Sequence, residues 1–191
     1  YLVYNDAITP KTEWRGIKHS VSGFSASHEN DLIATYHNPT TDNNFIKIYE
    51  RKDKSELKMT RSLGNLSDEG RILMFNAFAG GILWVGHELI WVDPASPELI
   101  VYDFEKDEVK YFKFDDEHFK VEDWNYEIEA SQKTFQHIRD YIFSNSRIVS
   151  LQKLMRHILV EVEHFVDNNS VIYYHIFDFN YEHIGKIKYG E

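Results

Sequence analysis

Several residues of this chain stand at spacings that chemistry could use. His157, Glu161 and His164 fall at i, i+4 and i+7, which on a helix would gather metal ligands on one face. The residues between them, Ile158, Leu159, Val160 and Val162, are of strand type. On a strand His157 and Glu161 share a face while His164 points the other way, so no metal is expected there. Trp84, Trp91, Trp124 and Tyr126 are the ligand-binding candidates, because aromatic faces can form a platform for a sugar or peptide; packing inside the fold is the competing use. Recognition is placed in the irregular aromatic stretch from Phe119 to Tyr126.

Glu50, Asp103 and Asp178 recur at matching positions and could form a carboxylate ring or calcium ligands. Each ends an apolar run and precedes a polar turn, so acceptance of hydrogen bonds from turn amides is the favoured reading. Asp42-Asn43-Asn44 and Asp167-Asn168-Asn169 are read as turns for the same reason. Nucleophilic catalysis finds no motif. Ser22-Gly23-Phe24-Ser25 and Ser144-Asn145-Ser146 lack the strand-turn-helix setting of a nucleophile elbow, and Ala79-Gly80-Gly81 is a strand connector, not a phosphate loop. No catalytic residue, metal or cofactor is assigned.

Composition narrows the classes further. With 31 acids against 21 bases and a formal net charge of -10, the chain has no basic stripe to track phosphates, which excludes nucleic acid as the expected partner. It has no cysteine, so disulfides, thiolate chemistry and cysteine-type zinc sites are absent together. The 10 histidines are scattered, and rim or surface positions are expected for most. No apolar run is long enough to cross a bilayer. The start, Tyr1-Leu2-Val3-Tyr4-Asn5-Asp6, has neither basic nor apolar leader character and no initiator methionine, as expected of a processed form or an excised fragment.

The elements that must position these residues are strands. Aromatic residues make up 15% of the chain and favour pleated surfaces. Leu32-Ile33-Ala34-Thr35-Tyr36, Phe45-Ile46-Lys47-Ile48-Tyr49 and Leu57-Lys58-Met59-Thr60-Arg61 form one meander separated by polar turns. Ile82 to Val85, Leu89 to Val92, Leu99 to Tyr102 and Val109 to Phe114 form a second. Ile158 to Glu163, Val171 to Phe177 and Ile184 to Lys188 restate the first. The stretch from 115 to 157 is irregular: Asp115-Asp116-Glu117 reads as a solvated charge run, Ala130 to Tyr141 as a helix, and Arg147 to Leu154 as an alternative strand.

One phrase occurs in each meander: Ile48-Tyr49-Glu50, Val101-Tyr102-Asp103 and Ile176-Phe177-Asp178, each followed by a polar turn and a return strand. Repeated four-stranded meanders point to an all-β fold of antiparallel propeller blades across 1–191, with the irregular insertion near 115–157. At roughly 40 residues per blade, the chain supplies about four to five blades.

The segments Leu99-Ile100-Val101-Tyr102-Asp103-Phe104 with Glu108-Val109-Lys110, and Tyr174-His175-Ile176-Phe177-Asp178-Phe179 with His183-Ile184-Gly185-Lys186, resemble blades of six-bladed TolB-like or NHL-like propellers. These are common among lipoproteins of Bacteroides-type bacteria. The resemblance implies a periplasmic or cell-surface protein, tethered by an N-terminal lipid in its full-length form; with fewer than six blades' worth of residues, either the chain is a piece of a longer protein or the toroid is incomplete or differently closed. It brings no catalytic residues. Gly80-Gly81-Ile82-Leu83-Trp84-Val85-Gly86 is similar to a strand of the sensor propellers in hybrid two-component regulators, though in a single copy.

The function expected is therefore a non-catalytic binding or scaffolding module of the cell envelope, with a protein, peptide or carbohydrate ligand. Its contacts would come from loops near residues 38–44, 64–71 and 115–135. A sensor propeller is one competing class, and a propeller hydrolase or lyase with a histidine and two carboxylates in close array is the other.

Overall fold

The computed structural model of the chain describes residues 2–4, 10–13, 21–27, 32–37, 45–51, 57–77, 79–124, 135–166 and 169–189. The fold is mostly β, and it divides into two units, Tyr1–Asn65 and Leu66–Glu191. In the first unit β1 (Leu2–Tyr4) pairs with β2 (Pro10–Glu13). Then β3 (Val21–Ala26), β4 (Leu32–His37), β5 (Ile46–Arg51) and β6 (Leu57–Leu63) form a four-stranded antiparallel sheet in chain order. Ile33 and Tyr49 are register partners on β4 and β5 and are packed together in the core. Gly64 is the residue that lets Phe45 close the sheet: its φ is +78°, and a Cβ there would lie 2.8 Å from the Phe45 ring.

The second unit begins with α1 (Asp68–Ala77) and a sheet of β7 (Ile82–Val85), β8 (Glu88–Trp91), β9 (Glu98–Asp103) and β10 (Glu108–Lys113). After α2 (Phe135–Ser144), a second sheet runs through β11 (Arg147–Leu154), β12 (His157–Val166), β13 (Asn169–Phe177) and β14 (His183–Lys188). Both are antiparallel meanders in chain order. The three repeated phrases end β5, β9 and β13, each the third strand of its sheet, so the pattern in the sequence marks one recurring place in the architecture.

Alternation explains how the two sheets of this unit meet. Along β12 the residues Ile158, Val160, Val162 and His164 are buried and those between them are less so, which is the period of a strand with one inward face. Leu83, Val85, Ile90, Val92, Leu99 and Val101 from the first sheet share a core with Ile148, Ile158, Val160, Val162, Phe177 and Tyr181 from the second. Each such side chain, fully buried, contributes on the order of 1.5–3 kcal/mol. Backbone bonds tie Ile148 of β11 to the connections around the first sheet: Gly80, ahead of β7, donates to the Ile148 carbonyl at 2.8 Å, and Ile148 donates to that of Pro94, in the β8–β9 loop, at 3.0 Å.

Helix α1 lies where the sequence suggests a loop at 64–71. The Ser67 hydroxyl caps it by accepting the Gly70 amide at 2.9 Å, and Asp68 and Glu69 sit in its first turn, where carboxylates suit the helix dipole. The Asp93 carboxylate reinforces the cap, taking the amides of Ser67 at 2.7 Å and Ala95 at 3.0 Å. In the irregular stretch, helix α2 and strand β11 are both present, so helix and strand are not alternatives there.

Candidate functional site

A dense polar cluster is built where the inward face of the β11–β14 sheet turns from aliphatic to polar. Register places Val160 opposite His175 and His175 opposite Lys186, while Val162 lies opposite Tyr173. The row of core residues thus continues into His164, Tyr173, His175 and Lys186. The chain leaving β10 lies over this end. Phe114 is buried with its ring centroid 4.7 Å from that of His175 and 5.4 Å from that of Phe177, and Asp116 follows two residues later.

Asp116 contradicts the expectation of a solvated charge run, because its side chain has no exposure at all. One carboxylate oxygen accepts His164 Nε2 at 3.0 Å and His175 Nε2 at 2.8 Å. The other accepts Lys186 Nζ at 2.8 Å and the His118 amide at 3.1 Å. Burial opposes ionisation, but the hydrogen bonds from His164, His175 and Lys186 outweigh it and hold the carboxyl well below its ordinary range. An ionised carboxylate only accepts, so both histidines present Nε2–H to it.

The network extends both ways from Asp116. His175 Nδ1 meets His183 Nε2 at 3.1 Å, and His183 is an exposed residue of the edge strand β14, on the same face as its register partner Phe177. Burial first, and the neighbouring His175 second, lower the His183 pKa. On the other arm His164 Nδ1 lies 2.9 Å from the Ser146 hydroxyl. Ser146, His164 and Asp116 are therefore connected in the order that activates a nucleophile. The surroundings give that order a different use. Ser146 is 4% exposed, and its hydroxyl also donates to the His118 carbonyl at 3.1 Å and accepts the Lys120 amide at 3.0 Å. These bonds fasten the segment 114–120 to the sheet and leave the hydroxyl enclosed.

A second cluster sits at the other end of the β7–β10 sheet. Glu88, Asp103 and Glu108 are consecutive register partners across β8, β9 and β10, a row of acids that would repel without compensation. Lys106 Nζ lies 2.6 Å from Asp103, and Tyr181 donates its hydroxyl to Glu88 at 2.6 Å. His87, Glu88 and Asp103 place ligand atoms within 4.8 Å of one another, a spacing open to a metal ion. Asp103, however, is the turn acid of its phrase: one oxygen accepts the amides of Glu105 at 3.1 Å and Lys106 at 3.0 Å. Asp178 does the same for Asn180 at 2.8 Å and Glu182 at 2.9 Å. Turn chemistry accounts for both residues. The turn that follows Glu50 lies outside the described residues.

The third feature is a groove on α2. Phe135, Ile138, Arg139, Ile142 and Phe143 follow the i, i+3, i+4, i+7, i+8 pattern of one helix face. With Arg147 they line a cavity of about 520 Å³. Ile138 and Ile142 reach the small core formed with Leu73 and Ala79, whereas Phe135 and Phe143 are 82% and 52% exposed. Arg147 is occupied, donating to the Ile142 carbonyl at 2.9 Å and pairing with Glu163 at 2.5 Å.

The three tryptophan candidates are placed inside the protein. Trp91 is 2% exposed, Trp84 7% and Trp124 9%. Trp84 and Trp91 lie on the face of the β7–β10 sheet opposite the shared core, with buried indole N–H groups that find no acceptor among the described residues. Trp124 packs edge-on against Tyr141 at 4.8 Å. Tyr126 lies outside the described residues, as do residues 38–44. His157 and Glu161 are on the outward face of β12 and His164 on the inward one, the division expected of a strand.

The Asp116 cluster was not signalled by any motif. The available hint is His175, which shares its alternation with Tyr173 and Phe177; a histidine in an inward position must find a hydrogen-bond partner. No protein-family model matches the chain, and no curated protein matches its sequence.

Proposed function

We propose that this chain is a non-catalytic binding or scaffolding module of propeller type that acts at the bacterial cell envelope. The propeller reading is supported by three four-stranded meanders that carry one phrase at the end of their third strands, and by the backbone bonds that tie Ile148 of β11, the leading strand of one of them, to Gly80 just ahead of β7, the leading strand of another. Blades stacked through their faces and linked near their leading strands make this pattern. The envelope location, with a lipid tether in the full-length protein, follows from the resemblance of the blade segments and is part of the proposal. No described helix is long and apolar enough to cross a membrane.

One contrast carries the functional reading. The titratable groups that could do chemistry, Asp116, His164 and His175, are enclosed and hydrogen-bonded to one another, while the apolar face of α2 opens to solvent. Buried saturated groups hold a scaffold together, and exposed aromatic side chains beside a cavity offer a contact surface.

The Ser146–His164–Asp116 connection favours a hydrolase as the second reading, and one experiment separates the two. Wild type, Ser146→Ala and His164→Gln are assayed against chromogenic ester, glycoside and peptide substrates. The binding-module reading expects no turnover above background in any of them. Turnover by wild type that both substitutions abolish would transfer the chain to the hydrolases. Cell fractionation of the full-length reading frame tests location, with recovery in the envelope fraction expected and recovery in the cytosol overturning it.

A further inference from the structure

We infer that the groove on α2 is a binding site for an organic anion with an apolar body, a carboxylate carried on an aliphatic or aromatic chain. This rests on the binding-module reading and names the ligand class. The apolar part is read from the helix face. Phe135 and Phe143 stand largely in solvent at the two ends of a face whose middle, Ile138 and Ile142, is anchored in the core with Leu73. Aromatic side chains of this size dominate contact energetics when covered, and a cavity of about 520 Å³ between them has the capacity of a small-molecule site.

The anionic part is read from the two arginines of the groove. Arg147 is tied to Glu163 and to the helix end, so its charge is already balanced. Arg139 differs. It makes no ion pair among the described residues, and its guanidinium carbon lies 5.9 Å from the centroid of the Phe143 ring. Contact with an aromatic face steadies the guanidinium while its N–H fork remains available, and that planar fork matches a carboxylate. In a chain whose formal net charge is -10, a cation with no ion pair among the described residues beside an apolar cavity selects for an anion of matching shape.

Decanoate is the probe, with 1-decanol, decylamine and acetate as controls, titrated calorimetrically into the whole chain. Decanoate is expected to saturate and to bind about tenfold more tightly than 1-decanol, the increment of one charge-assisted pair, with decylamine and acetate weaker still. Arg139→Gln should erase the difference between decanoate and decanol, and Phe135→Ser should weaken both. Both positions are on the exposed side of α2, and an unchanged circular dichroism spectrum and melting temperature verify that the variants are folded. Equal binding of decanoate and decanol by wild type, no saturable binding of decanoate, or decanoate binding that neither substitution alters would each overturn the inference. None of these results involves turnover, so failure of this ligand class is distinct from failure of the binding-module reading.

Discussion

His175 and Asp116 are joined by a 2.8 Å hydrogen bond across 59 residues of sequence, and neither side chain is exposed to solvent. The bond fixes the segment after β10 onto the inward face of the neighbouring sheet. It does so at a place where aliphatic packing gives way to polar side chains, so the carboxylate holds together what the core no longer covers.

Replacing Asp116 by Asn keeps the shape and removes the charge. The amide has one oxygen where the carboxylate offers two, so either the two histidines or Lys186 and the His118 amide lose their acceptor. Leaving the buried histidine N–H groups or the partly buried Lys186 ammonium without their acceptor costs about 1–3 kcal/mol. Urea denaturation of Asp116→Asn should show a loss of this size, and a midpoint equal to wild type would mean the network is not a stabilising one.

Acid should weaken the fold in two stages. His183 has a lowered pKa in the folded state, so its contribution is complete above its unfolded value of about 6.5 and drains as pH falls below it. Asp116 is lowered as well. Its contribution is complete above an unfolded value of about 4 and drains below that, because protons then bind the unfolded chain more readily than the folded one. Denaturation curves collected between about pH 3 and pH 8 should lose the first stage in His183→Gln and flatten in the second in Asp116→Asn. Parallel curves for wild type and both variants would contradict these assignments.

Asp103 is expected to act through its turn and through Lys106. Asp103→Asn should lower the melting temperature by a few degrees, since the amide keeps one acceptor for the turn amides but loses the ion pair at 2.6 Å. Zinc or calcium added to wild type should leave the melting temperature where it is, because the Lys106 ammonium already serves as the cation of the site. A concentration-dependent rise that Asp103→Asn removes would instead reveal a metal centre at His87, Glu88 and Asp103.

Gly81, just ahead of β7, lies against Leu151 of β11 with no room for a side chain. A Cβ there would lie 2.5 Å from the Leu151 amide nitrogen and 2.7 Å from its Cβ, and backbone cannot move aside as a side chain can. Gly81→Ala should cost roughly 1–3 kcal/mol by overpacking, visible in thermal melts. A neutral result would show that β7 and β11 can separate without loss.

The strands were legible because alternation and turn chemistry are local. Ile82 to Val85, Leu99 to Tyr102 and Val171 to Phe177 emerge as strands from their side chains and the turns that bound them. The phrase ending in Tyr49, Tyr102 and Phe177 identified a real architectural position for the same reason, and Asp103 and Asp178 accept from amides only two to four residues away. Helix α1 was also locally encoded, through Ser67 and the acids after it, but an interior Gly70 and the weak amphipathic pattern hid it.

The partners of a buried charge are a different kind of information. Asp116 looks like one of three surface acids until the fold sets it against His164, His175 and Lys186, which lie 48, 59 and 70 residues further on. Likewise, nothing in the residues around Arg139 and Arg147 distinguishes them until packing gives Glu163 to one and leaves the other facing a cavity. Local preference sets which segments become strands, turns and helices because neighbours in sequence are always neighbours in space. Desolvation and long-range pairing arise only when the sheets have met, so the polar network and the open groove belong to the tertiary structure alone.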